Sequence, residues 1–177
     1  MRPEISRLRE AVRDIPDFPK PGIVFKDITP VLADPVLFSS AIELLSEACR
    51  ESGASEIVGL DARGCIFGAA VACRLGLGFV PVRKKGKLPF RTHSRSYGLE
   101  YGSAEFEVHV DGVSPGERVI LVDDLLATGG SAEAALGLMR ELEAEVIRCL
   151  FVLELTSLGG RGRLGGVPVS SLVTYGE

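Results

Sequence analysis

The chain has 177 residues, of which 46% are apolar and 25% are charged, and its formal net charge is −4. This composition is typical of a globular protein, and the length favours a single domain, residues 1–177, with one buried core. The acidic balance argues against a nucleic-acid partner. It does not exclude a phosphorylated small molecule, because local basic clusters bind such ligands whatever the net charge.

The sequence favours a cytoplasmic protein without a membrane partner. The first ten residues mix charged and apolar side chains and lack the apolar core of a secretory signal. The most apolar stretch, Cys65 to Val82, contains Arg74 and several glycines, so it predicts a helix and a strand rather than a membrane span. The four cysteines have no metal-ligand spacing, and we expect buried, reduced thiols at Cys49, Cys65, Cys73 and Cys149.

The first informative segment, Asp17 to Ile28, reads DFPKPGIVFKDI and contains the aromatic residues Phe18 and Phe25. Its simplest interpretation from the residues alone is an ordered arm that packs these rings onto the core. After it, Asp34 and Pro35 are typical of a helix N-cap and first helical position. Apolar residues then recur every three or four positions, at Leu37, Ala41, Leu44, Leu45 and Ala48.

Four short apolar runs predict strands, namely Glu56 to Asp61, Phe79 to Val82, Arg118 to Asp123 and Ile147 to Leu155. Amphipathic patterns lie between them, and one of these has its apolar stripe at Ala135, Leu138, Met139 and Leu142. Apolar strands that alternate with such helices predict a doubly wound α/β fold, in which a mainly parallel sheet is covered on both faces. Ligands bind such sheets beyond the carboxyl ends of the strands.

A different pattern occupies residues 91–111. Phe106, Val108 and Val110 alternate with polar residues, which is typical of a half-exposed strand. Together with the preceding run from Ser94 to Tyr101, this pattern predicts an antiparallel hairpin, a flap beside the main sheet.

The most informative stretch is RVILVDDLLATGGS, residues 118–131. Its small-residue turn, Ala127 to Ser131, can offer backbone N–H groups and two hydroxyls to an anion at a helix N-terminus. It lacks the lysine of a GxxxxGK[ST] loop and does not fit GxGxxG, so it favours neither a nucleotide triphosphatase nor a dinucleotide enzyme. The adjacent carboxylates of Asp123 and Asp124 would repel a bare phosphate. They indicate ribose hydroxyls or a hard cation such as Mg²⁺, unless they form a solvated acidic turn.

Two basic segments follow other predicted strands. Asp61-Ala62-Arg63 precedes a helix and offers amides and a guanidinium, while Arg83 to Lys87 contains four cations in five residues. Each segment alone is more often a solvated loop.

Together these segments resemble the type I phosphoribosyltransferase family, in the form found in its adenine-specific members. VDDLLATGG, GLDARG, RKKGKLP, the DFPKPGIVFKDI segment and SYGLEYG occur in family order between Asp17 and Thr156. The resemblance implies the type I phosphoribosyltransferase fold and the transfer of ribose 5-phosphate from phosphoribosyl pyrophosphate (PRPP) to adenine. It assigns the ribose to Asp123 and Asp124, and the 5-phosphate to Ala127, Thr128, Gly129, Gly130 and Ser131.

The same resemblance assigns the pyrophosphate to Asp61, Ala62, Arg63, Arg83 and Lys87, with a cis peptide between Asp61 and Ala62. It assigns adenine to Val24, Phe25, Lys26 and Leu125, with the base between the Phe25 ring and Leu125 and its edge read by backbone groups. Residues 1–33 become a hood over this base. The implied catalytic residues are Arg63, on the leaving group, and Glu100, near adenine N7.

The resemblance further implies Tyr101 on the flap, Mg²⁺ held mainly by PRPP and water, and a homodimer. Two residues depart from the family pattern, since Cys65 and Phe90 stand where phenylalanine and glycine are common.

Two alternatives remain. One is an enzyme for another purine, which would need a side chain such as lysine to read a 6-oxo group, and we find none. The other is a PRPP sensor without turnover, although Glu100 and Arg63 favour an enzyme.

Overall fold

Five α-helices and nine β-strands form within residues 2–99 and 102–176, the residues that the computed structural model describes. In chain order they are α1 Pro3–Ala11, β1 Arg13–Pro16, β2 Val24–Asp27, α2 Thr29–Ala33, α3 Pro35–Cys49, β3 Glu56–Leu60, α4 Arg63–Leu75, β4 Gly78–Lys84, β5 Thr92–Leu99, β6 Gly102–His109, β7 Arg118–Leu126, α5 Gly130–Glu141, β8 Glu145–Leu155 and β9 Val169–Tyr175. Two short 3-10 turns, Thr156–Leu158 and Gly160–Arg163, lie between the last two strands.

Seven strands form one sheet in the order β5-β6-β4-β3-β7-β8-β9. The five strands from β4 to β9 in this order pair in parallel, whereas β6 pairs antiparallel with both β4 and β5. The predicted α/β fold and the predicted hairpin are therefore confirmed. The flap, defined here as β5 and β6, is continuous with the sheet rather than beside it, because Arg83 and Lys84 pair with Glu107 and Phe106.

The sheet separates two apolar cores. Along β7, Val119 and Leu121 face one core while Ile120 and Val122 face the other, as the two-residue period of a strand requires. The first core also contains α5 and the flap residue Phe106, and the second contains residues of α1 to α4. Helices thus cover both faces, as the alternating sequence pattern predicted.

Two predicted boundaries can be compared with the observed elements. The predicted cap of α3 is confirmed, since Asp34 Oδ1 accepts hydrogen bonds from the backbone N–H groups of Val36 (2.8 Å) and Leu37 (3.0 Å). In contrast, β7 continues three residues beyond its predicted end, because its parallel pairing with β8 extends to Leu126. Asp123 and Asp124 therefore lie within the strand.

The hood, residues 2–33, lies outside the large sheet. Its strands β1 and β2 form a separate antiparallel pair. Arg13 Nη2 donates to Asp27 Oδ2 at 2.6 Å, and Lys26 Nζ lies 2.6 Å from Asp14 Oδ1. The hood is also held by Tyr175, at the end of β9, whose ring centroid lies 4.3 Å from Lys26 Nζ.

The expectation that all four cysteines are buried is wrong for Cys73, which is exposed on the solvent side of α4. Cys49 and Cys149 are buried, and burial raises the pKa of their thiols to about 11 and about 12. Cys65 is partly buried. No helix within residues 2–99 and 102–176 combines the length and the apolar character needed to cross a membrane.

Candidate active site

A cavity of about 550 Å³ opens beyond the carboxyl ends of β3 and β7, the sheet edge at which the strand pattern predicted a ligand. Six segments enclose it: the hood, the loop after β3, the end of β4, the end of β7 with the start of α5, the flap, and the end of β8 with the loop after it. The lining residues are Pro19, Ile23, Val24, Phe25, Lys26, Asp61, Ala62, Arg63, Lys84, Tyr97, Ala104, Asp123, Asp124, Leu125, Leu126, Ala127, Thr128, Gly129, Gly130, Ser131, Ala132, Leu155 and Leu158.

The turn between β7 and α5 presents backbone N–H groups to this cavity. Gly129 is the N-cap of α5 and has a φ of 84°, a left-handed conformation that glycine adopts without steric cost. No side chain within the described residues caps this helix. The N–H groups of the first helical turn have no intrahelical acceptors, so they are available to an anion beside Thr128 and Ser131.

The glycine-rich loop after β8 supports the turn from behind. A Cβ atom on Gly160 would overlap the Ala127 carbonyl oxygen and lie 3.0 Å from the Gly129 nitrogen, so only glycine fits this close approach. The loop is fixed by Glu154, which is 2% exposed and accepts hydrogen bonds from Arg161 Nε (2.5 Å) and Nη2 (2.6 Å) and from Ser171 Oγ (2.6 Å). This loop therefore shapes the turn between β7 and α5 through backbone packing.

Asp123 and Asp124 lie side by side at the floor of the cavity, each 8% exposed. The Asp124 backbone N–H donates to Asp123 Oδ1 at 2.8 Å, and Arg63 Nε donates to Asp124 Oδ2. Burial, together with the adjacent Asp124 carboxylate, raises the pKa of Asp123 well above its ordinary value. One guanidinium thus neutralises one member of a closely spaced pair of acids.

The loop after β3 approaches β7 closely. A Cβ atom on Gly64 would lie 2.6 Å from Asp123 Oδ1 and 2.8 Å from the Val122 carbonyl oxygen, so a side chain here would displace the strand. The Asp61–Ala62 peptide is cis, as the family resemblance implied. This packing brings Arg63, the first residue of α4, to Asp124.

The basic segment is divided between two environments. Arg83 Nε donates to Asp61 Oδ2 at 2.9 Å, and the Lys84 N–H donates to the same oxygen at 3.3 Å. Burial raises the pKa of Asp61, but these hydrogen bonds outweigh burial and lower it below its ordinary value. Lys84 lines the cavity, whereas Arg83 and Lys87 do not, and their contact with pyrophosphate stays a prediction.

Phe25, on the hood, lines the cavity together with Leu125. The Phe25 ring centroid lies 5.7 Å from Arg63 Cζ and 5.3 Å from the ring of Phe18, which meets it edge-on at 75°. β2 pairs only with β1 among the described residues, so the other edge of β2 carries unpaired backbone groups. An aromatic face, an apolar side chain and a free strand edge suit a flat heterocycle.

Comparison with known proteins assigns the family. Residues 28–161 match the phosphoribosyl transferase domain. An adenine phosphoribosyltransferase of Streptomyces coelicolor is 54% identical over 171 residues, which cover 94% of this chain and 94% of the relative. The chain belongs to the adenine phosphoribosyltransferase family.

Solved structures of adenine phosphoribosyltransferases share the fold. The crystal structure from Rhodothermus marinus is 49% identical with a TM-score of 0.91, covering 97% of this chain and 98% of that one. The structure from Saccharomyces cerevisiae is 43% identical with a TM-score of 0.91, covering 97% and 99%. The latter was determined in complex with adenine and an imino-altritol bisphosphate.

The two flap residues that the adenine phosphoribosyltransferase resemblance singled out, Glu100 and Tyr101, lie outside the described residues. Their neighbours Tyr97 and Ala104 line the cavity. Burial raises the pKa of Tyr97, and a hydrogen bond with the Ser131 side chain partly offsets this effect. A Cβ atom on Gly130 would lie 2.9 Å from the Gly98 carbonyl oxygen, so the described part of the flap lies against the turn between β7 and α5.

Sequence reasoning missed several lining residues: Pro19, Ile23, Lys84, Tyr97, Ala104, Leu126, Ala132, Leu155 and Leu158. One signal could have found the last two, because a loop after any parallel strand of this sheet reaches the same edge. Within the basic segment, by contrast, nothing in the sequence distinguishes Lys84 from its neighbours.

Neither of the two departures from the family pattern, Cys65 and Phe90, lines the cavity. Phe90 is 51% exposed, and its ring centroid lies 6.1 Å from that of His109. The Cys65 thiol donates to the Gly59 carbonyl oxygen at 3.3 Å, and burial raises its pKa to about 11. In the part of the chain that the structure describes, no three His, Cys, Asp or Glu side chains form a group that could hold a metal ion.

Proposed function

We propose that this cavity binds PRPP and adenine together and joins them into AMP, with release of pyrophosphate. The observation that carries the proposal is the meeting of three unlike surfaces in one cavity: an anion-binding turn, a pair of buried acids and an aromatic platform. Membership of the adenine phosphoribosyltransferase family, and the name shared by relatives about half identical to this chain, support adenine as the base.

The ribose 5-phosphate half of PRPP fits the β7–α5 turn. The 5-phosphate accepts hydrogen bonds from the backbone N–H groups of Ala127 to Ser131 and from the hydroxyls of Thr128 and Ser131. The ribose hydroxyls donate to Asp123 and Asp124, directly or through water. Both acids are nearly buried, so these hydrogen bonds form where water competes little.

The pyrophosphate half fits the loop after β3. Arg63 and the amides near Asp61 and Ala62 bind it, while Lys84, Arg83 and Lys87 add positive charge. Mg²⁺ suits this end because it prefers oxygen ligands and keeps several waters, so the phosphate oxygens and the nearby carboxylates match its chemistry. When bound, the ion supplies positive charge to the departing pyrophosphate.

Adenine fits between the Phe25 ring and Leu125. The backbone groups of Val24 and Lys26 on the free edge of β2 match its N6–H donor and N1 acceptor. Hypoxanthine and guanine present the opposite pattern at these positions, so each would leave buried groups unpaired, a mismatch that can exclude an analogue strongly.

The reaction forms a bond from adenine N9 to the anomeric carbon and breaks the bond from that carbon to the pyrophosphate oxygen. Arg63 stabilises the charge that develops on the leaving group, the kind of electrostatic effect that usually contributes most to catalysis. Glu100 acts at adenine N7, where a protonated carboxyl donates a hydrogen bond or an ionised carboxylate holds the N7–H tautomer. The flap excludes water from the reactive ribosyl centre.

The working unit is one domain with a hood, residues 1–33, and a flap, residues 91–111. We propose that it acts in the cytoplasm as a homodimer in purine salvage, without a nucleic-acid or membrane partner. The rival interpretations are an enzyme for another purine and a PRPP sensor without turnover.

The purified protein with PRPP and Mg²⁺ is tested against adenine, hypoxanthine, guanine and xanthine, with nucleotide and pyrophosphate measured separately. We expect AMP and pyrophosphate in equal amounts from adenine alone. Turnover of an oxopurine would contradict backbone recognition of the base, and PRPP binding without turnover of any base would support the sensor.

A further inference from the structure

The flap strand β5 runs along α5 with matched spacing. His93, Arg95 and Tyr97 alternate along the strand, so their side chains share one face. The interval from His93 to Tyr97 is about 13 Å in a strand, and that from Ser131 to Glu141 is about 15 Å in a helix. At one end the Gly98 carbonyl oxygen lies close to Gly130, and at the other His93 Nδ1 lies 3.6 Å from Glu141 Oε2, so the strand and the helix run alongside each other over this length.

Arg95 lies between these two contacts and crosses the helix. Its Nη1 donates to Glu141 Oε1 at 3.0 Å. Its side chain passes over Gly137, where an added Cβ atom would lie 2.6 Å from the guanidinium carbon Cζ. Glycine inside a helix is less favourable than alanine. The space that Arg95 needs explains why glycine occupies position 137.

The end of β5 also approaches the turn between β7 and α5. A Cβ atom on Gly130 would lie 2.9 Å from the Gly98 carbonyl oxygen. A sideways shift of β5 on α5 would therefore move Tyr97 and Gly98 relative to the cavity. The contacts of Arg95 resist such a shift although Arg95 itself does not line the cavity.

We propose that Arg95, Gly137 and Glu141 form a latch that holds the flap against α5 over the bound substrates. Arg95 and Glu141 are positioning residues that act through Tyr97 and Gly98. The proposal rests on the proposed function for its kinetic consequences. The side chains of Arg95 and Glu141 are 48% and 36% exposed, so the latch is modest in strength and can release the flap.

The first test measures KM and kcat for PRPP in Arg95→Ala and Glu141→Ala. An exposed ion pair is worth a factor of about two to five in an equilibrium, so we expect KM to rise about two- to fivefold while kcat changes by less than about twofold. The difference from the unmodified protein should shrink at high salt, because salt screens exposed charges. Arg118→Ala is the matched control, since Arg118 and Glu145 form an exposed pair away from the cavity.

The decisive variant is Gly137→Ala, whose Cβ atom displaces the Arg95 side chain. We expect it to raise KM as Arg95→Ala does, without lowering Tm, because alanine favours the helix. In the Arg95→Ala variant, adding Gly137→Ala should not raise KM for PRPP further. An equal rise in KM in both backgrounds, or a loss of Tm, would overturn the latch.

Hydrogen exchange of the β5 amides separates this proposal from the proposed function. In the free protein at pH 8, exchange should be about two- to fivefold faster in Arg95→Ala and Glu141→Ala. Exchange should slow again in the doubly reversed variant Arg95→Glu with Glu141→Arg. Unchanged exchange in the single variants would reject the latch, whereas an unmodified protein without turnover would reject only the proposed function.

Discussion

The end of the cavity proposed for ribose and phosphate is built on β7, a central strand of the sheet, whereas the end proposed for the base is built on a two-stranded hairpin outside it. Asp123 and Asp124 are 8% exposed and packed between strands and helices, while Val24 on the hood is 50% exposed. In the proposed function, the central sheet serves the half of the substrates that carries the chemistry. Recognition of the base is assigned to the small strand pair β1 and β2, whose hood is joined to the rest of the fold through the buried residues Leu8, Ile28 and Val31.

The largest effect should follow a change at the sheet end. Arg63→Gln should lower kcat/KM for adenine about 100-fold or more, because the charge that develops on the leaving pyrophosphate loses its partner. The control is Arg74→Gln, at the opposite end of α4, where Arg74 pairs with Glu43 on the surface. Steady-state kinetics of both variants check this, and a loss below about tenfold for Arg63→Gln would remove it from the catalytic role.

A change at the base end should be smaller and confined to one substrate. Phe25→Ala should raise KM for adenine about tenfold, since stacking of a base on an aromatic ring contributes about 1–3 kcal/mol. Phe25→Tyr keeps the aromatic face and should stay within about threefold of the unmodified protein. If KM for PRPP rose as much as KM for adenine, the two ends would not be separable.

Asp123→Asn should increase stability while reducing activity. Burial and Asp124 raise the pKa of Asp123, so this carboxyl favours the folded state at low pH, and that contribution is lost as pH rises through its folded pKa. Removing the charge should raise the free energy of unfolding at neutral pH by about 0.5–2 kcal/mol. It should also flatten the decline of stability with rising pH.

Denaturant unfolding from pH 5 to pH 9 measures this effect. Asp124→Asn is the matched control, because it removes the ion pair with Arg63 and should bring no such gain. If Asp123→Asn is no more stable than the unmodified protein at any pH, burial and the Asp124 carboxylate do not destabilise the ionised Asp123.

The smallest effect is expected at the anchor of the hood. Tyr175→Ala removes the ring that Arg9 and Lys26 approach at 5.1 Å and 4.3 Å, contacts worth about 0.5–1 kcal/mol each at exposed sites. KM for adenine should rise about two- to fivefold with KM for PRPP unchanged. Tyr175→Phe keeps the ring and should leave both values near those of the unmodified protein, so an equal loss in both variants would contradict the role of the ring.

The sheet end could be predicted well from sequence because its determinants are local. A strand, two acids and a small-residue turn follow one another within residues 118–131, and the pairing of parallel strands fixes where that edge lies. The predicted end of β7 was wrong by only three residues, because pairing with β8 continues past Asp123 to Leu126.

The remaining features depend on contacts between distant parts of the chain. Tyr175 reaches the hood from the last strand, and Arg95 depends on the missing side chain of Gly137. Arg83 and Lys84 are adjacent in sequence, yet only Lys84 lines the cavity, because successive side chains of a strand point to opposite sides. No local pattern indicates which side faces a cavity that forms only after folding.

The division of the interior by the sheet has a consequence for how this protein can change over evolutionary time. The hood rests on the core formed with α1 to α4, and the flap rests on the core formed with α5. Substitutions that share no contacts tend to have additive effects. A lineage can therefore alter the packing under the hood and the packing under the flap by separate sets of mutations, and a library that varies one core can be recombined with a library that varies the other.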